Sequence, residues 1–201
     1  MSGKDLRIVY MGTPDFAVEP LRRLVEGGYD VVAVVTMPDK PSGRGLKLKG
    51  SAVKEYAESV ALPILQPEKL SNPAFVEELS SYAPDLGIVV AFKMLPTVIW
   101  SMPRLGTFNL HASLLPDYRG AAPINWAIMN GDKVSGITTF MLDKAIDTGD
   151  VLCKESVVIA DDETAGTLHD KLMILGGDLV LKSVELIAAG DVVPVAQSEI
   201  K

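Results

Sequence analysis

An amide, an imidazole and a hydroxyl stand close together at Asn109, His111 and Ser113, where an apolar run ends. Residues 105–110 have the composition of a buried strand, and Leu114-Leu115-Pro116 and Tyr118-Arg119-Gly120 follow as a rigid turn. Side chains alternate along a strand, so Asn109 and His111 are expected on one face. An amide donor beside a titratable ring can polarise a carbonyl oxygen and move a proton. The pair alone leaves two readings open, catalysis or a structural histidine at a strand end.

A carboxylate would complete the set. Ile146-Asp147-Thr148-Gly149-Asp150 lies in a turn between two predicted strands. Asp and Gly are ordinary turn residues, so Asp-Thr-Gly carries little by itself. Thirty-six residues separate His111 from Asp147, room for one helix and one strand that would return the chain to the same sheet edge. From there Asp147 could orient the imidazole. His169, in a long helical pattern without polar company, reads as a surface or packing residue.

Several other chemistries do not fit. Gly12-Thr13-Pro14-Asp15-Phe16, after the first strand, has one glycine where a dinucleotide fingerprint needs three. There is no P-loop, no nucleophile-elbow serine, and the histidines and Cys153 are too scattered for zinc. Cys153 reads as a small core residue, and with no second cysteine it implies a reducing, cytoplasmic setting. Phe16 is open between a core anchor and a pocket wall.

The elements that must position these residues alternate. Strands are expected at 6–11, 31–36, 63–65, 86–91 and 106–111, then at 137–142 and 151–159 around the polar turn 143–150. Helical patterns cover 16–25, 52–59, 73–82, 96–100 and 123–130, with a long one over 164–189 that Gly176-Gly177 interrupts. Residues 37–50, rich in glycine and proline, read as a long loop, and 191–201 carry no packing signal. Such alternation implies an α/β fold with a doubly wound, mostly parallel sheet, which binds ligands at the C-terminal edge of its strands.

With 201 residues, 48% of them hydrophobic and 22% charged, the chain suits one globular domain. No apolar run reaches the roughly 18 residues of a membrane span, and no secretory core precedes the first strand. Net charge is −7, which argues against general nucleic-acid binding. Residues 40–54 nevertheless hold Lys40, Arg44, Lys47, Lys49 and Lys54 with no acid among them. This segment is either a restricted polyanion site or a solvated loop.

Asn109-x-His111-x-Ser113-Leu114-Leu115-Pro116, together with Asp147-Thr148-Gly149, resembles the folate-dependent formyltransferases. Met11-Gly12-Thr13-Pro14-Asp15-Phe16-Ala17, Pro38-Asp39-Lys40-Pro41-Ser42-Gly43-Arg44-Gly45 and Tyr118-Arg119-Gly120-Ala121-Ala122-Pro123-Ile124 are most similar to the branch that formylates methionyl-tRNA. The likeness runs from about residue 7 to 195. It implies a Rossmann-like formyltransferase fold without a metal, in a monomer. It also implies formyl transfer from 10-formyltetrahydrofolate to the α-amine of methionine on initiator methionyl-tRNA, for translation initiation. On this resemblance Asn109 and His111 act at the formyl oxygen, and Asp147 holds His111 and relays protons. Backbone groups of Phe92, Met94, Leu95, Ser113, Leu114, Leu115, Pro116 and Asp143 would frame the folate, and Phe16 would line the pocket for the methionine side chain. Lys40, Arg44, Lys47 and Lys49 would meet the acceptor stem.

Lys93 departs from the family, which often has glycine there. Family enzymes also carry a C-terminal β-barrel domain, so residues 1–190 are expected to form the catalytic domain and 191–201 to begin a linker. Two alternatives stand beside this reading. One is formylation of a sugar-nucleotide amine; the other is a folate-binding fragment without turnover. A glycinamide ribonucleotide enzyme would open with a glycine-rich phosphate turn, which Gly12-Thr13-Pro14 does not provide.

Overall fold

The computed structural model describes residues 1–42 and 47–200. A first βαβ unit comprises β1 (Arg7–Gly12), α1 (Val18–Glu26) and β2 (Asp30–Val35). A small hairpin of β3 (Lys40–Ser42) and β4 (Lys47–Lys49) leads into α2 (Ala52–Ser59) and β5 (Ile64–Leu65). Then come α3 (Pro73–Ser81), β6 (Leu86–Val90), α4 (Thr97–Trp100), β7 (Thr107–His111) and α5 (Pro123–Met129). β8 (Val134–Met141), β9 (Val151–Val158) and α6 (Ala165–Ala189) follow.

The main sheet has seven strands in the order β5-β2-β1-β6-β7-β8-β9. β5, β2, β1, β6 and β7 pair in parallel, whereas β8 and β9 are antiparallel additions at one side. Helices cover both faces, which is why the central strands read as unbroken apolar runs. On one face Ile8, Tyr10, Ile88, Val90, Phe108 and Leu110 pack in a core with residues of α1, α2 and α6. On the other, Val9, Met11, Ala33, Val35 and Val89 pack beneath Phe75 and Leu79 of α3 and Ile99 of α4.

Helix ends follow local chemistry. Ser51, Asn72 and Thr164 accept backbone N–H bonds as N-caps of α2, α3 and α6. Gly28 and Gly190, both at φ 75°, turn the chain out of α1 and α6 with no Cβ to strain.

Three expectations change. The predicted loop 37–50 contains a hairpin, with Lys40 opposite Lys49 and Ser42 opposite Lys47. Gly43, Arg44 and Gly45 lie outside the described residues. Gly176-Gly177 do not interrupt α6, which is continuous over 25 residues. Their missing side chains let it pack closely: a Cβ on Gly176 would sit 2.7 Å from Leu110 Cδ2, and one on Gly177 2.9 Å from Arg23 Cγ. Finally, the segment after 190 does pack. Val195 pairs with Val151, and Ile200 lies against the cluster of Leu115, Phe140 and Val151.

Candidate active site

Parallel strands β1, β6 and β7 end at one edge, and β7 delivers its polar residues there. Phe108 and Leu110 turn into the core under α6, so Asn109 and His111 share the opposite face, as alternation requires. Asn109 is half-buried, and its Oδ1 is a buried atom with no hydrogen-bond partner among the described residues. His111 is 8% exposed. Its Nε2–H donates to the Tyr118 carbonyl at 2.8 Å, which turns Nδ1 toward Asp147 Oδ2 at 3.7 Å. That acceptor fixes a proton on Nε2 and leaves Nδ1 facing the Asp147 carboxylate.

Asp147 reaches His111 by a route other than the expected one. β8 runs antiparallel to β7, with Thr138 opposite His111 and Met141 opposite Phe108. The 142–150 turn therefore leaves the sheet at the far end of β7, where Leu142 N donates to Thr107 O at 2.8 Å. It then folds back over the sheet face. Asp143 holds the turn by accepting from Ala145 N at 3.0 Å and Thr148 Oγ1 at 2.8 Å. At its apex Asp147 adopts a left-handed backbone (φ 53°), and its Oδ2 accepts from Gly120 N at 2.8 Å.

Two cavities meet at this place. The larger, about 580 Å³, lies between segments 92–100 and 142–147; Phe92, Leu95, Trp100, Asn109 and Asp147 are in its wall. Met94, Asp143 and Lys93 line it as well. The smaller, about 400 Å³, is walled by Phe16, Leu110, Ala112, Pro123 and Ile124 on the α6 side. Ala91, Leu110 and Gly120 belong to both. Phe16, 7% exposed, is thus a core residue and a cavity wall at once.

Other candidates fall elsewhere. His111 lines neither cavity and sits behind Asp147. Ser113, Leu114, Leu115 and Pro116 are also absent from both walls. The Ser113 hydroxyl is engaged by the Asp117 carbonyl at 2.6 Å, Leu115 is fully buried against Phe140 and Val151, and Leu114 packs on Gly136. The side chains of Ser113, Leu114 and Leu115 are thus engaged in the fold, and the framing role expected of the 113–116 segment belongs to its backbone groups. Lys40 and Lys49 are exposed on the hairpin. Lys47 has its backbone in β4, and Arg44 is outside the described residues. Lys54 is not part of a free basic face, because its Nζ pairs with Asp39 at 2.7 Å.

Sequence reading gave no individual role to four residues around the site. His169 does have polar company: Asp170 at 3.0 Å and Asp15 at 3.8 Å, with its ring edge-on to Phe16 at 5.2 Å. It lines the smaller cavity. The neighbouring Asp170 was the only local signal. Arg119 and Gln197 bond to each other beneath the Asp147 turn, 78 positions apart, and no local pattern could have joined them. Tyr118 donates its hydroxyl to Asp132 at 2.6 Å, a bond that raises the phenol above its ordinary range and pins the carbonyl on which His111 rests. Among the described residues no group of acidic, histidine and cysteine side chains is placed to hold a metal.

Comparison with known proteins gives the family of the chain. A profile described as Formyl transferase matches residues 6–184. The methionyl-tRNA formyltransferase of Bacteroides thetaiotaomicron is 64% identical over 199 residues, which are 99% of this chain. Those of Phocaeicola vulgatus and Porphyromonas gingivalis are 65% and 52% identical over the whole chain. In each case the chain spans 62% of the relative's length. Among solved structures, a phosphoribosylglycinamide formyltransferase from Anaplasma phagocytophilum superposes with a TM-score of 0.78 at 19% identity, covering 98% of this chain and 96% of that one. An N-formyltransferase from Helicobacter canadensis, solved with folinic acid and dTDP-3-aminofucose, gives 0.70 at 22% identity, covering 97% of this chain and 68% of that one. These two share the fold. From the profile and the close relatives together, the chain belongs to the formyl transferase family.

Proposed function

We infer that the chain transfers the formyl group of 10-formyltetrahydrofolate to the α-amine of methionine on initiator methionyl-tRNA. One observation carries this reading: the Asn109 side chain, its Oδ1 buried without a hydrogen-bond partner among the described residues, stands in the cavity wall beside Asp147, where two cavities of different character join. The larger combines Phe92, Leu95 and Trp100 with the backbone of the 142–147 turn, a setting suited to a flat, hydrogen-bonding heterocycle such as a pterin. The smaller presents the apolar side chains of Phe16, Pro123 and Ile124, a surface suited to a thioether side chain. The names of the 52–65% identical relatives support the acceptor.

In this reading the methionyl nitrogen attacks the formyl carbon at the junction. A new C–N bond forms, negative charge grows on the formyl oxygen, and the bond to folate N10 then breaks. Asn109 donates to that oxygen. Asp147 takes a proton from the attacking amine and passes it through water toward N10. His111, from behind, faces the Asp147 carboxylate with Nδ1 and orients it toward the junction. The nucleophile belongs to the substrate, so no covalent enzyme intermediate forms. Lys40, Arg44, Lys47 and Lys49 supply cations for the acceptor stem.

The test is a formyl-transfer assay with three acceptors: methionyl-tRNA, glycinamide ribonucleotide and an amino-sugar nucleotide. Transfer to methionyl-tRNA alone is expected. Transfer to a sugar amine instead would overturn the acceptor assignment. Calorimetric binding of a donor analogue with no transfer to any acceptor would leave a folate-binding module.

A further inference from the structure

Residues 195–200 run beneath the catalytic turn and are tied to it. Val195 exchanges both backbone hydrogen bonds with Val151, at 2.8 and 2.9 Å. Between that bridge and the buried end of Ile200 lies Gln197, a polar side chain only 4% exposed. Its amide is fully used. Nε2 donates to the Asp147 carbonyl at 2.9 Å and the Gly149 carbonyl at 2.8 Å. Oε1 accepts from Arg119 Nε at 2.9 Å and Nη2 at 2.6 Å. A glutamine amide has two N–H bonds and two lone pairs to offer, and all four are spent here.

We propose that Gln197, held by Arg119, is a positioning residue for Asp147. The proposal rests on the reading of Asn109, His111 and Asp147 as the reacting set. Asp147 holds a left-handed backbone, a conformation that a residue with a side chain keeps when its surroundings impose it. Gln197 imposes it by fixing the carbonyls on either side of Thr148. The same short stretch of chain grips Asp147 at both ends: Gly120 N binds the carboxylate, and Arg119, through Gln197, binds the backbone. The direction in which the carboxylate faces His111 is therefore set from a segment distant in sequence.

Gln197→Glu tests this, because it keeps the length and an oxygen for Arg119 but loses both N–H donors. Arg119→Leu is the second variant and removes the other half of the clamp. Two readouts are taken in the 201-residue chain and in a protein of the relatives' full length. The first is the ring spectrum of the two histidines together with the amide signals of residues 145–150, without substrate. His111 and the turn are expected to shift in both variants, while His169 stays in place as an internal reference. The second is formyl transfer, where kcat should fall by about tenfold to a hundredfold with KM for the donor little changed. A lower melting temperature with unmoved His111 signals and normal kcat would make Gln197 a fold-stabilising residue only, and overturn the proposal. The spectroscopic arm needs no activity. It judges the clamp even if His111→Ala retains full transfer, the result that would overturn the site itself.

Discussion

Left-handed backbone gathers around the two cavities. Ala91, Tyr118, Ala122 and Asp147 have φ between 47° and 57°, and Gly120 joins them at 87°. Residues with a side chain seldom adopt such angles, and where they cluster, the surrounding packing is holding a particular arrangement of atoms. Here that arrangement presents Asn109 and Asp147 at the wall. On the proposed mechanism Asn109 donates to the formyl oxygen, so Asn109→Ala should raise the barrier by about 2.7–4 kcal/mol, seen as a drop in kcat with the fold unchanged by circular dichroism. On the proposed mechanism His111→Ala should also lose most transfer, since it removes the ring that stands against Asp147. Asn109 and His111 were legible in the sequence because strand alternation needs only local periodicity. That the His111 ring stands behind Asp147, outside both cavity walls, was not. Its place depends on a carbonyl seven residues on, at Tyr118.

At the scale of elements, β8 explains both what could be read and what could not. A continuous apolar run signals a strand but not its direction, so the chain was expected to return Asp147 to the strand-end edge. Antiparallel pairing instead sends the turn to the far end, and its fold-back depends on Gly149. A Cβ there would sit 1.7 Å from the Met141 carbonyl oxygen, an atom of the backbone that cannot step aside. Gly149→Ala should therefore cost about 1–3 kcal/mol in urea unfolding and reduce transfer with it. α6 offers a second case. Its glycines look like breaks in one dimension and are close contacts in three. Near its end Glu185 accepts from the Tyr29 hydroxyl at 2.7 Å and from Gly3 N at 3.0 Å. These bonds lower the Glu185 pKa, while burial and the same pairing push Tyr29 up to about 12. A lowered carboxylate pKa adds stability that is complete above the unfolded value of about 4.3 and drains as pH falls through the folded one. For Tyr29 the sign reverses: stability is complete below about 10 and is lost as pH rises toward the folded value. Glu185→Gln should thus flatten the acid limb of the stability curve measured by urea titration across pH.

Over the whole molecule, charge is divided between an acidic body, net −7 for the chain, and an arm outside the main sheet. Asp39 anchors the arm's base, accepting from Lys54 Nζ and Gln66 Nε2, both at 2.7 Å. Lys40 and Lys49 stand opposite one another beyond it and are exposed. Composition alone counted Lys54 with them, because its partner Asp39 falls just outside the acid-free run. If the arm meets tRNA phosphates, Lys40→Ala and Lys49→Ala should each reduce the salt dependence of tRNA binding by roughly one released counterion, with donor affinity unaltered. Fluorescence anisotropy across a salt series measures the slope; an unchanged slope in both would remove the arm from that role. The junction of the cavities at Ala91, Leu110 and Gly120 has a consequence for inhibitor chemistry. No side chain of Gly120 closes the passage, so a single bridged compound could place a fused heterocycle on one side and a small thioether on the other. Each half would hold the second at a high effective concentration, and the compound's affinity would far exceed that of its separate parts.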